Sequence, residues 1–287
     1  MSAIQAAFSR QLHIITRYRA ATALVLLAWA GIFIFSYREG AMLHAAGYFF
    51  AIWLCVLLTD ALVIAHPVRA KGFPIKHSAQ KESMLIIVCT LLGMAFLIFR
   101  FFSNWEQLPG LLRLGSLVLM VFAFPIFLAC WYLLRYKYKL SELGINLHYW
   151  YLPVFVHIIF GGITLWVAPE KSHWQEMWYS VGIVGFLLEG IVGAALAEEF
   201  SRMLAQTRFS AALGNNGLGF FFATLIWALM HVPVFSGGEV GNILPALQGA
   251  CNILPIGLLW GYITWRTKSL FPALLIHGLN LWGLQNF

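Results

Sequence analysis

Long apolar runs alternate with short polar interruptions along this chain, and most of the runs are of similar length. An α-helix needs about 20 mainly apolar residues to cross the hydrocarbon core of a bilayer. On that measure about nine runs qualify, near 20–37, 41–66, 84–102, 114–134, 149–168, 179–206, 218–235, 243–265 and 270–284. The pattern predicts an all-α fold, a polytopic transmembrane helical bundle of about eight to nine helices. The main break is the polar stretch 139–147. It divides the chain into residues 1–139, helices without a recognisable motif, and residues 140–287, which hold the polar clusters described below.

Composition agrees. The chain is 61% hydrophobic and 10% charged, against roughly a quarter charged in soluble domains. Its net charge of +7 is no nucleic-acid footprint, because the basic residues form no single patch. They sit in loops: Arg10, Arg17 and Arg19; Arg69, Lys71, Lys76 and Lys81; Arg135, Lys137 and Lys139; Arg202 and Arg208; Arg266 and Lys268. All fall on one side if the N-terminus is cytoplasmic, which is the expected orientation. No small-residue cleavage site follows the first run, so it reads as a retained helix. Cys55, Cys89, Cys130 and Cys251 lie in apolar runs and are expected as buried thiols. Tyr149–Tyr151, Trp174, Trp178, Trp260 and Trp265 are expected in interfacial belts.

Three polar clusters interrupt the last runs: Glu198, Glu199 and Arg202; Trp227 and His231; His277 and Asn280. Ionisable groups in hydrocarbon are costly and usually face a cavity or a partner. Arg202 follows Glu198 by four residues and Glu199 by three, so either carboxylate can pair with it. The other glutamate then faces a cavity as a candidate general base. Pro233 is expected to bend the helix carrying His231. Together the clusters offer a base, two imidazoles and an amide on three different spans. Asp60 is a further intramembrane charge, expected to pair with Arg100 or His66. Glu189 is a candidate for the same cavity or for a bond to a neighbouring helix, and Gln248 with Asn252 for links between helices or for contact with a substrate backbone.

The order Glu-Glu…Arg, aromatic-x-x-x-His, then His with a downstream Asn resembles the CPBP intramembrane peptidases. That family includes type II CAAX prenyl endopeptidases and bacteriocin-immunity relatives. Residues 265–280 and the segment Gly257-Leu-Leu-Trp-Gly261 carry much of the likeness, which extends over about 140–287. The resemblance implies a glutamate-type intramembrane endopeptidase acting on a membrane-associated or lipid-anchored protein or peptide. In it Glu198 would activate water, His231 would assist proton transfer, and His277 with Asn280 would stabilise the oxyanion. Glu199 and Arg202 would support the site. Two positions depart from the family pattern: the Glu-Glu…Arg spacing is one residue short, and Leu281 stands where a polar residue is usual.

No cofactor is expected on this reading. A metal-dependent protease with Glu198, His231 and His277 as zinc ligands is an alternative, though no HExxH spacing exists. A non-proteolytic immunity factor, scaffold or transporter on the same fold is another. The expected partners are membrane lipids and a membrane-bound substrate, not nucleic acid. The expected location is the bacterial inner membrane.

Overall fold

A backbone surrounded by hydrocarbon must satisfy its own hydrogen bonds, and a helix does so within a single segment. The computed structural model follows that rule. It describes residues 2–68, 72–103, 107–121, 126–171, 176, 179–180 and 182–280, and among these there is no strand. Helices α1 (Ala3–Arg17), α2 (Arg19–Arg38), α3 (Met42–Ala65), α4 (Ala79–Phe102) and α5 (Gly110–Val121) come first. They are followed by α6 (Leu152–Val167), α7 (Ala197–Leu213), α8 (Asn216–Leu229), α9 (Ile243–Thr267) and α10 (Phe271–Asn280), with shorter helical pieces between. Among the described residues five helical segments, including α2, α3 and α4, are long and apolar enough to cross a membrane. The chain is an integral membrane protein.

Six of the expected runs recur within a few residues of their predicted ends, and the ninth is described as α10, with 281–284 outside the described residues. The fourth is described as two pieces, α5 and Phe127–Arg135, with 122–125 outside the described residues. The sixth begins with Gly182–Gly185 and a π-helix, Phe186–Leu196, that continues directly into α7. This rod runs to Leu213, past the expected end near 206, so Glu198 stands near its middle.

Local chemistry sets the other ends. Gly214 adopts φ +59° and closes α7, and Asn215 caps α8 by accepting the Leu218 N–H at 3.0 Å. Helices α7 and α8 can then lie side by side because Gly219 has no side chain: a Cβ there would sit 2.2 Å from the Ser210 nitrogen. Small residues at such crossings let membrane helices approach closely.

Packing is organised around two clusters. In one, Tyr48, Ile52 and Cys55 of α3 meet Leu152, Val156 and Phe160 of α6, and Phe221, Trp227, Leu259 and Trp260 of α8 and α9. In the other, Ile86 and Cys89 of α4 meet Met203 and Leu204 of α7 together with Leu128 and Tyr132. The first cluster draws on residues from both sides of position 139.

Several expectations are corrected. Trp260 and Tyr149 are buried rather than interfacial, because Trp260 packs on a histidine and the Tyr149 hydroxyl donates to the His66 carbonyl. Trp174 and Trp178 lie outside the described residues. Cys55 and Cys89 are buried as expected, whereas Cys130 and Cys251 are exposed. Asp60 pairs with neither Arg100 nor His66. It accepts from Arg266 and from the Tyr262 hydroxyl, and Arg10 Nε lies 3.4 Å away. A fully buried carboxylate thus joins α1, α3 and α9.

Candidate active site

Adjacent helical residues point about 100° apart, so Glu198 and Glu199 at the start of α7 must face different surroundings. Glu199 turns inward, with its side chain 1% exposed. One of its oxygens accepts from Arg202 and the other lies 2.8 Å from His277 Nδ1. Glu198 turns into the open, with its side chain 31% exposed. Sequence left open which glutamate pairs with Arg202; in the structure it is Glu199. Arg202 is buried, and its guanidinium also lies over Trp227 and Trp260, 5.1 and 5.5 Å from the ring centroids.

Glu198 Oε2 is the point on which the three clusters converge. It accepts the indole N–H of Trp227 at 2.6 Å, and lies 3.8 Å from His231 Nε2 and 3.7 Å from His277 Nε2. Each histidine has its other ring nitrogen beside an acceptor: His231 Nδ1 is 3.0 Å from the Trp227 carbonyl, and His277 Nδ1 faces Glu199. A ring that donates from Nδ1 keeps Nε2 as its free nitrogen. Both Nε2 atoms therefore address the same carboxylate oxygen.

Sequence explains how each group arrives there. A proline disfavours helical geometry before it and clashes with the carbonyl four residues back. Pro233 accordingly ends α8 at Leu229, and His231 sits on the turn before the short helix Val232–Phe235, so the expected bend is a break. On α9, Gly257 makes room for the Trp227 ring, which a Cβ would meet at 2.6 Å. Three residues on, Trp260 stacks on His277, with ring centroids 4.0 Å apart and planes 17° apart.

The frame behind Trp260 is set by Tyr48. Pro255 lies inside α9 and cannot donate to the helix ladder. Beside it the Tyr48 hydroxyl accepts the Ile256 N–H at 3.1 Å and donates to the Asn252 carbonyl at 3.0 Å.

Asn280 lies one turn beyond His277. Its Oδ1 is buried and has no hydrogen-bond partner among the described residues. Glu189 is exposed on the π-helix, and Gln248 donates to Glu39 at 3.0 Å, away from the convergence point. Among the described residues no group of three or more His, Cys, Asp or Glu is arranged to hold a metal ion. Two features of the surroundings had no clear sequence signal. One is the Trp227 N–H on Glu198. The other is a buried pair, Arg208 with Glu82 at 2.8 Å, that ties α7 to α4.

Residues 177–282 match the model of a protein family described as type II CAAX prenyl endopeptidase Rce1-like. No curated protein and no solved structure gave a match.

Proposed function

With residues 177–282 carrying the Rce1-like pattern, we propose that this chain is a glutamate-type intramembrane endopeptidase acting on a membrane-associated protein. The observation that carries the reading is the convergence of two imidazole Nε2 atoms on the accessible oxygen of Glu198, at 3.7 and 3.8 Å. A water bound there contacts a base and two groups able to pass or hold its protons.

In the proposed reaction Glu198 takes a proton from water as the water oxygen bonds to the scissile carbonyl carbon. The electron pair of the C=O bond moves to oxygen, and Asn280 with His277, in its form protonated on both ring nitrogens, donates to the resulting oxyanion. Collapse of this intermediate breaks the C–N bond, and the departing nitrogen takes a proton relayed by His231 and Glu198. Glu199 and Arg202 touch none of the reacting atoms. They position His277 from behind, and the Trp227 N–H fixes the Glu198 carboxylate. The chain's orientation, with a cytoplasmic N-terminus, belongs to the same proposal and rests on the loop charges.

The experiment compares membrane-protein termini in cells expressing the wild type or Glu198→Gln at equal, folded levels. A set of new termini present only with the wild type is expected, and purified protein should then cut the corresponding membrane-anchored peptide about 10²–10⁴-fold faster than the variant. Identical termini in the two strains would remove the peptidase reading in favour of a non-proteolytic role. Activity lost in a strong chelator and restored by zinc would replace the glutamate mechanism by the metal-dependent one.

A further inference from the structure

Two cavities meet at Trp265, where α9 ends, and none of Glu198, His231, His277, Trp227 or Trp260 lines either. The first, about 340 Å³, is walled by α1, α2, α3, α8 and α9 and is almost wholly apolar. Val25, Val56 and Leu258 line it, and Ile15 and Leu26 also line it and are themselves exposed. The second, about 250 Å³, is more polar and lies between α7 and the loop before α4, with Gln206 and Lys268 in its lining. The Gln206 Oε1 atom is buried without a partner among the described residues. Asn216, Phe220 and Trp265 belong to both walls.

Charge accumulates at the junction. The Arg10 guanidinium lies 5.5 Å from the Trp265 ring centroid and the Lys268 ammonium 5.2 Å from it. Arg266 and Arg10 share Asp60, while Lys268 has no acidic partner among the described residues. Two of these three cations share one carboxylate, and the third has none. Lys268 also holds φ +55°, a conformation that glycine adopts without strain. Burial, with Arg266 and Arg10 adding to it, lowers its pKa to about 8. Crowded cations next to an open apolar groove complement a molecule with an anionic head and a hydrocarbon tail.

We propose that the joined cavities bind an anionic phospholipid of the surrounding bilayer, with its phosphate at Lys268, Arg266 and Arg10 and one acyl chain along the apolar groove. The groove supplies the chain with a wall, and the cations supply the preference for negative charge. This site stands apart from the peptidase reading and holds whether or not the chain cleaves anything.

The test uses the full chain in nanodiscs of mixed phosphatidylglycerol and phosphatidylcholine, with retained lipid counted by native mass spectrometry. The wild type should retain phosphatidylglycerol in preference. Lys268→Gly, which also relieves the backbone, should lower that preference by about fivefold, the effect of one basic residue near an anionic head group. Val25→Trp, which fills the groove, should abolish retention of both lipids. Millimolar inorganic phosphate should leave the bound phosphatidylglycerol in place. Equal retention of the two lipids by the wild type overturns the proposal, and so does an unchanged preference in Lys268→Gly. Displacement by inorganic phosphate would mean a site for free anions and would also overturn it.

Discussion

His277 is held from behind by Glu199, whose carboxylate lies 2.8 Å from the imidazole Nδ1 while its other oxygen engages Arg202. This buried triad turns His277 Nε2 toward Glu198. One glutamate of the adjacent pair thus builds the support, and the other remains available for chemistry.

That division predicts opposite phenotypes for neighbouring substitutions. Removing one member of a buried ion pair leaves the other charge uncompensated, at a cost of about 3–5 kcal/mol. Glu199→Gln and Arg202→Met should each lower the thermal unfolding midpoint sharply in detergent. Glu198→Gln should leave it almost unchanged while removing cleavage. Equal thermal losses for Glu198→Gln and Glu199→Gln would contradict the assignment.

Trp227→Phe removes one indole N–H from Glu198 and keeps most of the ring that packs against Trp260 and Arg202. A hydrogen bond to a charged group contributes roughly 1.5–3 kcal/mol. With the carboxylate less firmly held, kcat should fall by about 10–100-fold while KM stays within about twofold. Steady-state kinetics on a membrane-anchored peptide checks the split. A change confined to KM would place Trp227 in substrate binding instead.

Tyr48→Phe tests the frame behind the site. The variant leaves the Ile256 N–H and the Asn252 carbonyl without the hydroxyl that now serves both, beside a proline that already interrupts the ladder. An expected cost of about 1–3 kcal/mol follows from unmet buried groups. Because Trp260 lies on the same helix and stacks on His277, activity should fall as well. Unfolding and cleavage assays on one preparation measure both effects.

Much of this architecture was legible along the chain because hydrocarbon imposes a length on apolar runs and a cost on charges within them. The convergence of Glu198, His231 and His277 was readable for the second reason: polar groups on separate spans seek one cavity. The identity of Arg202's partner was not, since three- and four-residue spacings both bring a carboxylate within reach on one helix. Trp260 was misread because an aromatic residue near a span end has the same local sequence whether it faces lipid or a histidine. The Asp60 pairing with Arg266 joins positions 206 residues apart, and no local pattern encodes it. The π-helix before Glu198 has no compositional mark either, yet it leads directly into the helix on which the two glutamates face different ways.

Lys268 gives the fold a pH signature. Its pKa in the fold, about 8, lies below the ~10.4 of an unfolded lysine. Burial is the main cause, and the neighbouring Arg266 and Arg10 add to it. Between these values the unfolded chain holds the proton that the folded chain has shed, so stability rises with pH across the window. Below about pH 8 both states are protonated and the penalty is fully present. In neutral detergent without anionic lipid, the unfolding midpoint of the wild type relative to Lys268→Gln should therefore climb from pH 8 to pH 10 and stay flat from pH 6 to pH 7. The glutamine variant keeps the left-handed backbone and removes only the titrating charge. A difference that falls with rising pH would mean that an acidic partner, rather than burial among cations, governs this lysine.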